Sequence, residues 1–190
     1  MKKLMIVIII LTLIPLTMAS AEDNSADLGM SMKDFIQKYN SIQAPLGSPY
    51  VQLNMNNAEK WVYFNGYWCA CFYPENTHKI VMFLMTKDKS RKRDLNLGLD
   101  IIQLYAESDE DLIALICLAM RVTTIFTTDL FGLSMSGFYV ADVIKFFYEN
   151  EVKEKKIYTY RQLDTETDYT LSMFYSYGYY FQISPLEVVK

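Results

Sequence analysis

His78 is the only histidine in the chain, so any imidazole-dependent mechanism must run through that one residue. The nucleophiles nearest to it in sequence are Cys69 and Cys71, which makes a cysteine thiol with His78 as base the one Cys–His pairing to weigh. A reactive thiol needs a helix N-terminus or a basic neighbour to lower its pKa. The run Trp68-Cys69-Ala70-Cys71-Phe72 offers neither, and a solvated turn residue is the simpler reading of His78. The stretch Gly132-Leu133-Ser134-Met135-Ser136-Gly137 resembles a nucleophile elbow only at first sight. An elbow requires glycine two positions before and two after its serine, and the second of those positions is Ser136. Capping of a following helix explains that serine better.

Metal chemistry is equally short of ligands. One histidine and a Cys-x-Cys pair do not make the four-ligand set of a zinc site, and Asp109-Glu110-Asp111 lacks the spaced oxygen ligands and central glycine of a calcium loop. No glycine-rich loop is present to cradle phosphates. No cofactor and no metal are expected, and no residue is nominated as catalytic. Paired carboxylates of a glycoside hydrolase come from distant segments, and nothing in the chain singles out such a pair.

The remaining feature is aromatic abundance: 15 Tyr, 11 Phe and 2 Trp. Tyrosine joins a large contact area to a hydroxyl and serves recognition of sugars, peptides or proteins as well as core packing. Alternation along the closing strands puts Tyr169, Leu171, Met173 and Tyr175 on one face, expected to pack on helices, and Thr170, Ser172, Phe174 and Ser176 on the other, expected to meet solvent. Ile157 and Leu163 point inward by the same rule, which leaves Tyr158 and Tyr160 beside the Thr and Ser row as candidate binding residues.

The elements that must carry these residues begin after an export signal. Met1-Lys2-Lys3 precedes the apolar stretch Leu4–Leu16, and Ala19-Ser20-Ala21 supplies the small residues a signal peptidase requires. The reading is a signal peptide over residues 1–21, cut after Ala21. The apolar stretch falls short of the roughly 20 residues that span a bilayer, so no stable membrane insertion is expected after cleavage, and the mature protein is secreted or extracytoplasmic. Losing Lys2 and Lys3 leaves 16 basic against 22 acidic residues, a balance of −6. Nucleic acid is excluded on that balance, since such binders carry a basic footprint. The one basic cluster, Lys87 to Arg93, reads as a solvated loop.

Residues 22–30 read as a flexible lead-in and 31–190 as a single α+β domain. Ser31 with Asp34 forms a capping-box start for a helix over about 32–41. Strands follow at 50–55, 60–64, 67–73 and 78–86, with Asn65-Gly66 as a hairpin turn; 95–105 is a strand or a helix, with the strand preferred. Ser108-Asp109-Glu110-Asp111 caps a second helix running to about Thr127, whose apolar residues nearly encircle it, so that it should be covered on two sides. A third helix spans about 137–149, and strands close the chain at 156–163, 169–175 and 179–184. Helix, strands, helices, strands is an α+β order, with helices packed on one face of an antiparallel sheet. An echo between Phe64-Asn65-Gly66-Tyr67-Trp68 and Tyr177-Gly178-Tyr179-Tyr180 hints at a duplicated helix-plus-hairpin unit.

Cys69, Cys71 and Cys117 are an odd number for an exported chain. Two cysteines two apart on a strand share a face and do not readily bridge each other, so at most one pairs with Cys117. Buried free thiols are the expectation. The function expected is a non-enzymatic exported domain that binds a protein or envelope polymer through a tyrosine-bearing sheet surface. The alternatives are an exported hydrolase with an unrecognised carboxylate site and a structural oligomer subunit.

Overall fold

The computed structural model describes residues 27–42, 50–54, 56, 58–64, 66–87, 94–126, 136–149, 160–161, 169–175 and 177–185. Among these residues three helices, α1 (Met32–Ser41), α2 (Leu112–Thr123) and α3 (Ser136–Glu149), accompany seven strands. These are β1 (Lys60–Phe64), β2 (Tyr67–Phe72), β3 (Ile80–Thr86), β4 (Ile101–Ala106), the two-residue β5 (Tyr160–Arg161), β6 (Tyr169–Tyr175) and β7 (Tyr179–Pro185). The sheet order is β1-β2-β3-β4-β7-β6-β5, and every pairing is antiparallel. One meander of four strands and one of three thus meet where β4 pairs with β7. The fold class is α+β, with the helices on one face of an antiparallel sheet. The signal peptide and its cleavage point at Ala21 lie outside the described residues.

Local chemistry accounts for the element ends. Asp34 N–H donates to Ser31 Oγ at 3.1 Å and Ser31 N–H donates to Asp34 Oδ2 at 3.3 Å, the reciprocal capping box read from the sequence. The far end of α1 is finished by another element: Arg121 Nη2 of α2 donates to the carbonyls of Tyr39 (3.2 Å) and Ile42 (2.6 Å). Its guanidinium also lies over the Tyr39 and Tyr50 rings. The β1–β2 hairpin closes at Gly66, whose φ of 85° suits a glycine, with Phe64 opposite Tyr67. Between β2 and β3, the buried Glu75 carboxylate accepts the N–H groups of Thr77, Lys79 and Ile80, organising the reversal from inside.

Several expectations need correction. Order begins before Ser31: Leu28 is fully buried and its N–H bonds Leu99 O at 2.8 Å. Residues 50–54 form no strand beyond a single bridge from Tyr50 to Glu75, because the Leu53 backbone spends both its polar groups on the Asn40 side chain. The strand expected over 95–105 starts only at Ile101. Ser108 does not cap α2 through a backbone amide. Its hydroxyl donates to Asp111 Oδ2, a short 3₁₀ turn over Asp109–Asp111 intervenes, and Asp111 pairs with Lys79 at 2.9 Å. The α2 helix ends at Thr123 rather than near Thr127, and it is not covered on two sides, since Ile113 is 75% exposed and Met120 and Cys117 also face outward.

The helix-side core joins Phe35 and Tyr39 of α1, Leu115 and Val122 of α2, and Val140 and Val143 of α3 to one residue row of each long strand, such as Met82, Leu104 and Phe181. Each large apolar side chain buried in this way contributes about 1.5–3 kcal/mol. The opposite face was expected to meet solvent along β6, and it does not. Tyr67, Cys69, Cys71, Phe83, Ile101, Tyr105, Phe174 and Tyr180 form a second buried cluster there, and Thr170 and Ser172 are buried in the same row as Phe174. Ladder register aligns Cys71, Phe83, Gln103, Gln182 and Ser172 in one line across this face. Gln103 Nε2 donates to Gln182 Oε1 at 3.2 Å within it.

Candidate functional site

The exposed large apolar side chains among the described residues are Tyr63, Ile113, Met120, Tyr148, Tyr175 and Tyr177, four of the six being tyrosines. Two of those, Tyr148 and Tyr175, come together with Tyr179 and Asp109, and Tyr177 stands at the tip of the same β6–β7 turn. The β6–β7 turn supplies Tyr175, Tyr177 and Tyr179; the last turn of α3 supplies Tyr148; the loop after β4 supplies Asp109. Tyr175 and Tyr179 are a directly opposed cross-strand pair with ring centroids 5.1 Å apart. Phe147, buried beneath, makes edge contacts with both Tyr148 (5.4 Å) and Tyr179 (6.2 Å) and so ties the helix end to the hairpin.

The turn is built to hold Tyr177 outward. Tyr177 adopts φ 57°, a left-handed conformation uncommon for a bulky residue, and the next residue, Gly178, has φ 154°. Tyr105 secures the turn from the other face by donating its hydroxyl to Tyr177 O at 3.2 Å. The result is a tyrosine side chain 72% exposed at the tip, while Tyr148 is 51% and Tyr175 43% exposed. A strained backbone that displays an aromatic ring to water is the kind of feature that accompanies function.

Electrostatics mark the same place. Tyr179 donates its hydroxyl to Asp109 Oδ1 at 2.5 Å, and that hydrogen bond raises the Tyr179 phenol from 10.0 to about 12. Burial, and then the nearby Asp109 charge, raise Tyr148 as well. Tyr105 is pushed up to about 12 by burial, with Glu107 adding to it. These phenols therefore stay protonated donors at neutral pH. Asp109 is exposed and in no ion pair among the described residues, whereas the charge of Glu107 acts on Tyr105 and that of Glu110 on Lys79. The patch presents ring faces, hydroxyls and the Asp109 carboxylate. Among the described residues no thiol or imidazole is placed with them.

Other residues singled out in the sequence are placed elsewhere. Cys69 and Cys71 are buried free thiols on the second sheet face, sharing that face as expected, and burial raises both, Cys71 to about 12. Cys117 is free too, but exposed rather than buried. His78 is exposed on its loop with its ring against Tyr73, 4.7 Å between centroids. Among the described residues no three His, Cys, Asp or Glu side chains cluster as metal ligands, and no helix is long and apolar enough to cross a membrane. Asp100 is the one described acid whose carboxyl is raised, by burial first and with a contribution from Asp27. It accepts the Lys87 N–H and so fastens the end of β3. Tyr158 lies outside the described residues. Tyr160 lies in β5, where the register sets it opposite Leu171 and not opposite Thr170 or Ser172.

Sequence reading had turned Tyr175 inward, and it missed Tyr148, Tyr177 and Tyr179 as a group. The available signal was Tyr175-Ser176-Tyr177-Gly178-Tyr179, three tyrosines around a turn glycine, where rings cannot all be buried. Comparison with known proteins finds no family model that matches the chain, and no curated protein or solved structure that matches it. The reading of function therefore rests on the patch itself.

Proposed function

We propose that this chain is an exported, non-enzymatic binding domain that recognises a protein or envelope polymer through the tyrosine patch at the β6–β7 turn. The single observation that carries this reading is the exposure of Tyr175 and Tyr177 at a turn whose backbone is held in an uncommon conformation, with Tyr148 of α3 exposed and within electrostatic reach of Asp109. Exposed apolar surface of this kind, rimmed by polar groups, marks interaction sites. Tyrosine is also over-represented among residues that dominate interface energy. Export rests on the apolar run and small residues of positions 4–21.

The hydrolase alternative requires two acids facing a common cleft with their pKa values pushed apart. Among the described residues Asp100 alone has a raised carboxyl, and the hydrogen bond it accepts from Lys87 N–H gives it a structural task. Exposed Tyr63, whose ring lies 4.9 Å from that of the partly buried Trp68 on the β1–β2 hairpin, supports a competing reading in which the β1 edge is the docking place. Capture from the native envelope with the intact mature chain, with a Tyr148→Ser/Tyr177→Ser variant, and with Tyr63→Ser separates the two surfaces. The proposed site requires that a bound species be lost with the first variant and kept with the second.

A further inference from the structure

The outer face of α2 is apolar where a surface helix is ordinarily polar. No charged side chain occurs from Leu112 to Met120, and the one cation of the helix, Arg121, is spent on the Tyr39 and Ile42 carbonyls of α1. Ile113, Cys117 and Met120 follow helical spacing and so share one face, and all three are exposed, Ile113 to 75%. Cys117 stands between the other two as a free thiol hydrogen-bonded to the Tyr50 hydroxyl. Cys69 and Cys71 are buried on the sheet, which leaves Cys117 as the accessible thiol of the chain's three. Exposed apolar surface of this kind marks a place of association.

We propose that this face is a two-fold interface: the mature chain dimerises by packing α2 against α2 of a second copy, with a Cys117–Cys117 disulfide on the axis. A two-fold axis through Cys117 sets Ile113 of each copy near Met120 of the other, so the stripe is its own complement. Packed helix axes lie about 8–10 Å apart and Cα atoms about 2.3 Å off each axis. Facing cysteines on such helices come within the reach of a disulfide, whose Cα atoms are about 4.4–6.8 Å apart. The thiol selects a second copy over an unrelated partner. An exported chain with an odd cysteine count pairs the leftover thiol between chains, and its copy brings an equal thiol on a face that fits. A low-molecular-weight disulfide is the oxidant. The Cys117 thiolate of one copy attacks it and releases one small thiol; the second copy's Cys117 thiolate then attacks the Cys117 sulfur of that mixed disulfide and releases the other. Two protein thiols are thereby oxidised and one small disulfide is reduced to two thiols. This interface is separate from the tyrosine patch and depends on export only for its oxidising surroundings.

The test holds the purified mature chain reduced, with Cys117 open to labelling, and then adds glutathione disulfide. Non-reducing electrophoresis and peptide mass spectrometry follow the products for the parent, for Cys117→Ser and for an Ile113→Glu/Met120→Glu variant. The parent should form one covalent dimer joined Cys117 to Cys117, and Cys117→Ser none. The Ile113→Glu/Met120→Glu variant should dimerise at least about ten-fold more slowly, because packing no longer raises the effective concentration of the second thiol. Its Cys117 should still react with iodoacetamide at the parent rate, and its unfolding midpoint should match the parent's, since both substitutions lie at exposed positions. Capture of glutathione without a dimer, a cross-link through Cys69 or Cys71, or dimerisation of the Ile113→Glu/Met120→Glu variant at the parent rate overturns the interface. The N-terminal mass of the protein made by cells decides export separately: if residues 1–21 are retained while the purified chain still forms the Cys117–Cys117 dimer, the interface stands and the export reading falls.

Discussion

Gly178 lies against Tyr105 so closely that a Cβ at position 178 would stand 2.5 Å from Tyr105 Cε2 and 2.7 Å from Ala106 O. Only glycine fits there, and its φ of 154° adds a backbone reason to the steric one. The same Tyr105 holds the turn by its hydrogen bond to Tyr177 O, so one contact sets the shape of the candidate site.

Gly178→Ala should therefore destabilise the fold by about 1–3 kcal/mol, the range typical of overpacking a close contact. Urea denaturation measures it. A midpoint equal to that of the parent protein would mean that the turn is not wedged on Tyr105.

Tyr179→Phe should cost about 0.5–1.5 kcal/mol, at the low end because the pair is near the surface. The pH dependence follows from the raised phenol. The folded value of about 12 exceeds the ordinary 10.0, so the contribution is complete below pH 10 and is lost as pH rises through 10 toward 12. Denaturation of parent and variant at rising pH should show the stability difference shrinking over that interval. A difference that grows with pH would contradict the assigned hydrogen bond.

Thiol labelling of the native protein should modify Cys117 and spare Cys69 and Cys71, which become reactive only on unfolding. Mass spectrometry after brief treatment with iodoacetamide reads this directly. Rapid labelling of Cys69 or Cys71 would mean that the second sheet face is open to solvent.

Exported protein should begin at Glu22, shown by an intact mass lacking residues 1–21. Retention of the N-terminus would overturn the assignment to the extracytoplasmic space.

How much of this was legible varies with the kind of physics involved. β1 and β6 match their sequence-based bounds residue for residue, because aromatic runs bracketed by turn residues are a local signal. The α1 capping box is also local and was read correctly. The buried second face was misread along β6, where Thr170 and Ser172 looked like a solvent row. Their burial depends on the sheet register that aligns Ser172 with Gln182 and Gln103. The unbroken apolar run Ile80–Met85 in β3 was the better guide, since a strand covered on both faces loses its alternation. α2 erred in the opposite direction: its apolar residues encircle it, yet Ile113 and Met120 remain exposed because tertiary packing covers only one side. Alternation gave Tyr175 its row but not its exposure, which a period-two pattern does not encode.

The central claim, recognition through Tyr148 and Tyr177, is tested most directly by comparative capture from the native envelope using matched amounts of parent protein, the Tyr148→Ser/Tyr177→Ser variant and the Tyr63→Ser control. Both substitutions lie at exposed positions, so unfolding midpoints should stay close to the parent, within about 0.5 kcal/mol per site. Recognition through the patch predicts a discrete species retained by the parent and by Tyr63→Ser and lost by the double variant. Retention by the double variant, or loss with Tyr63→Ser instead, would contradict it.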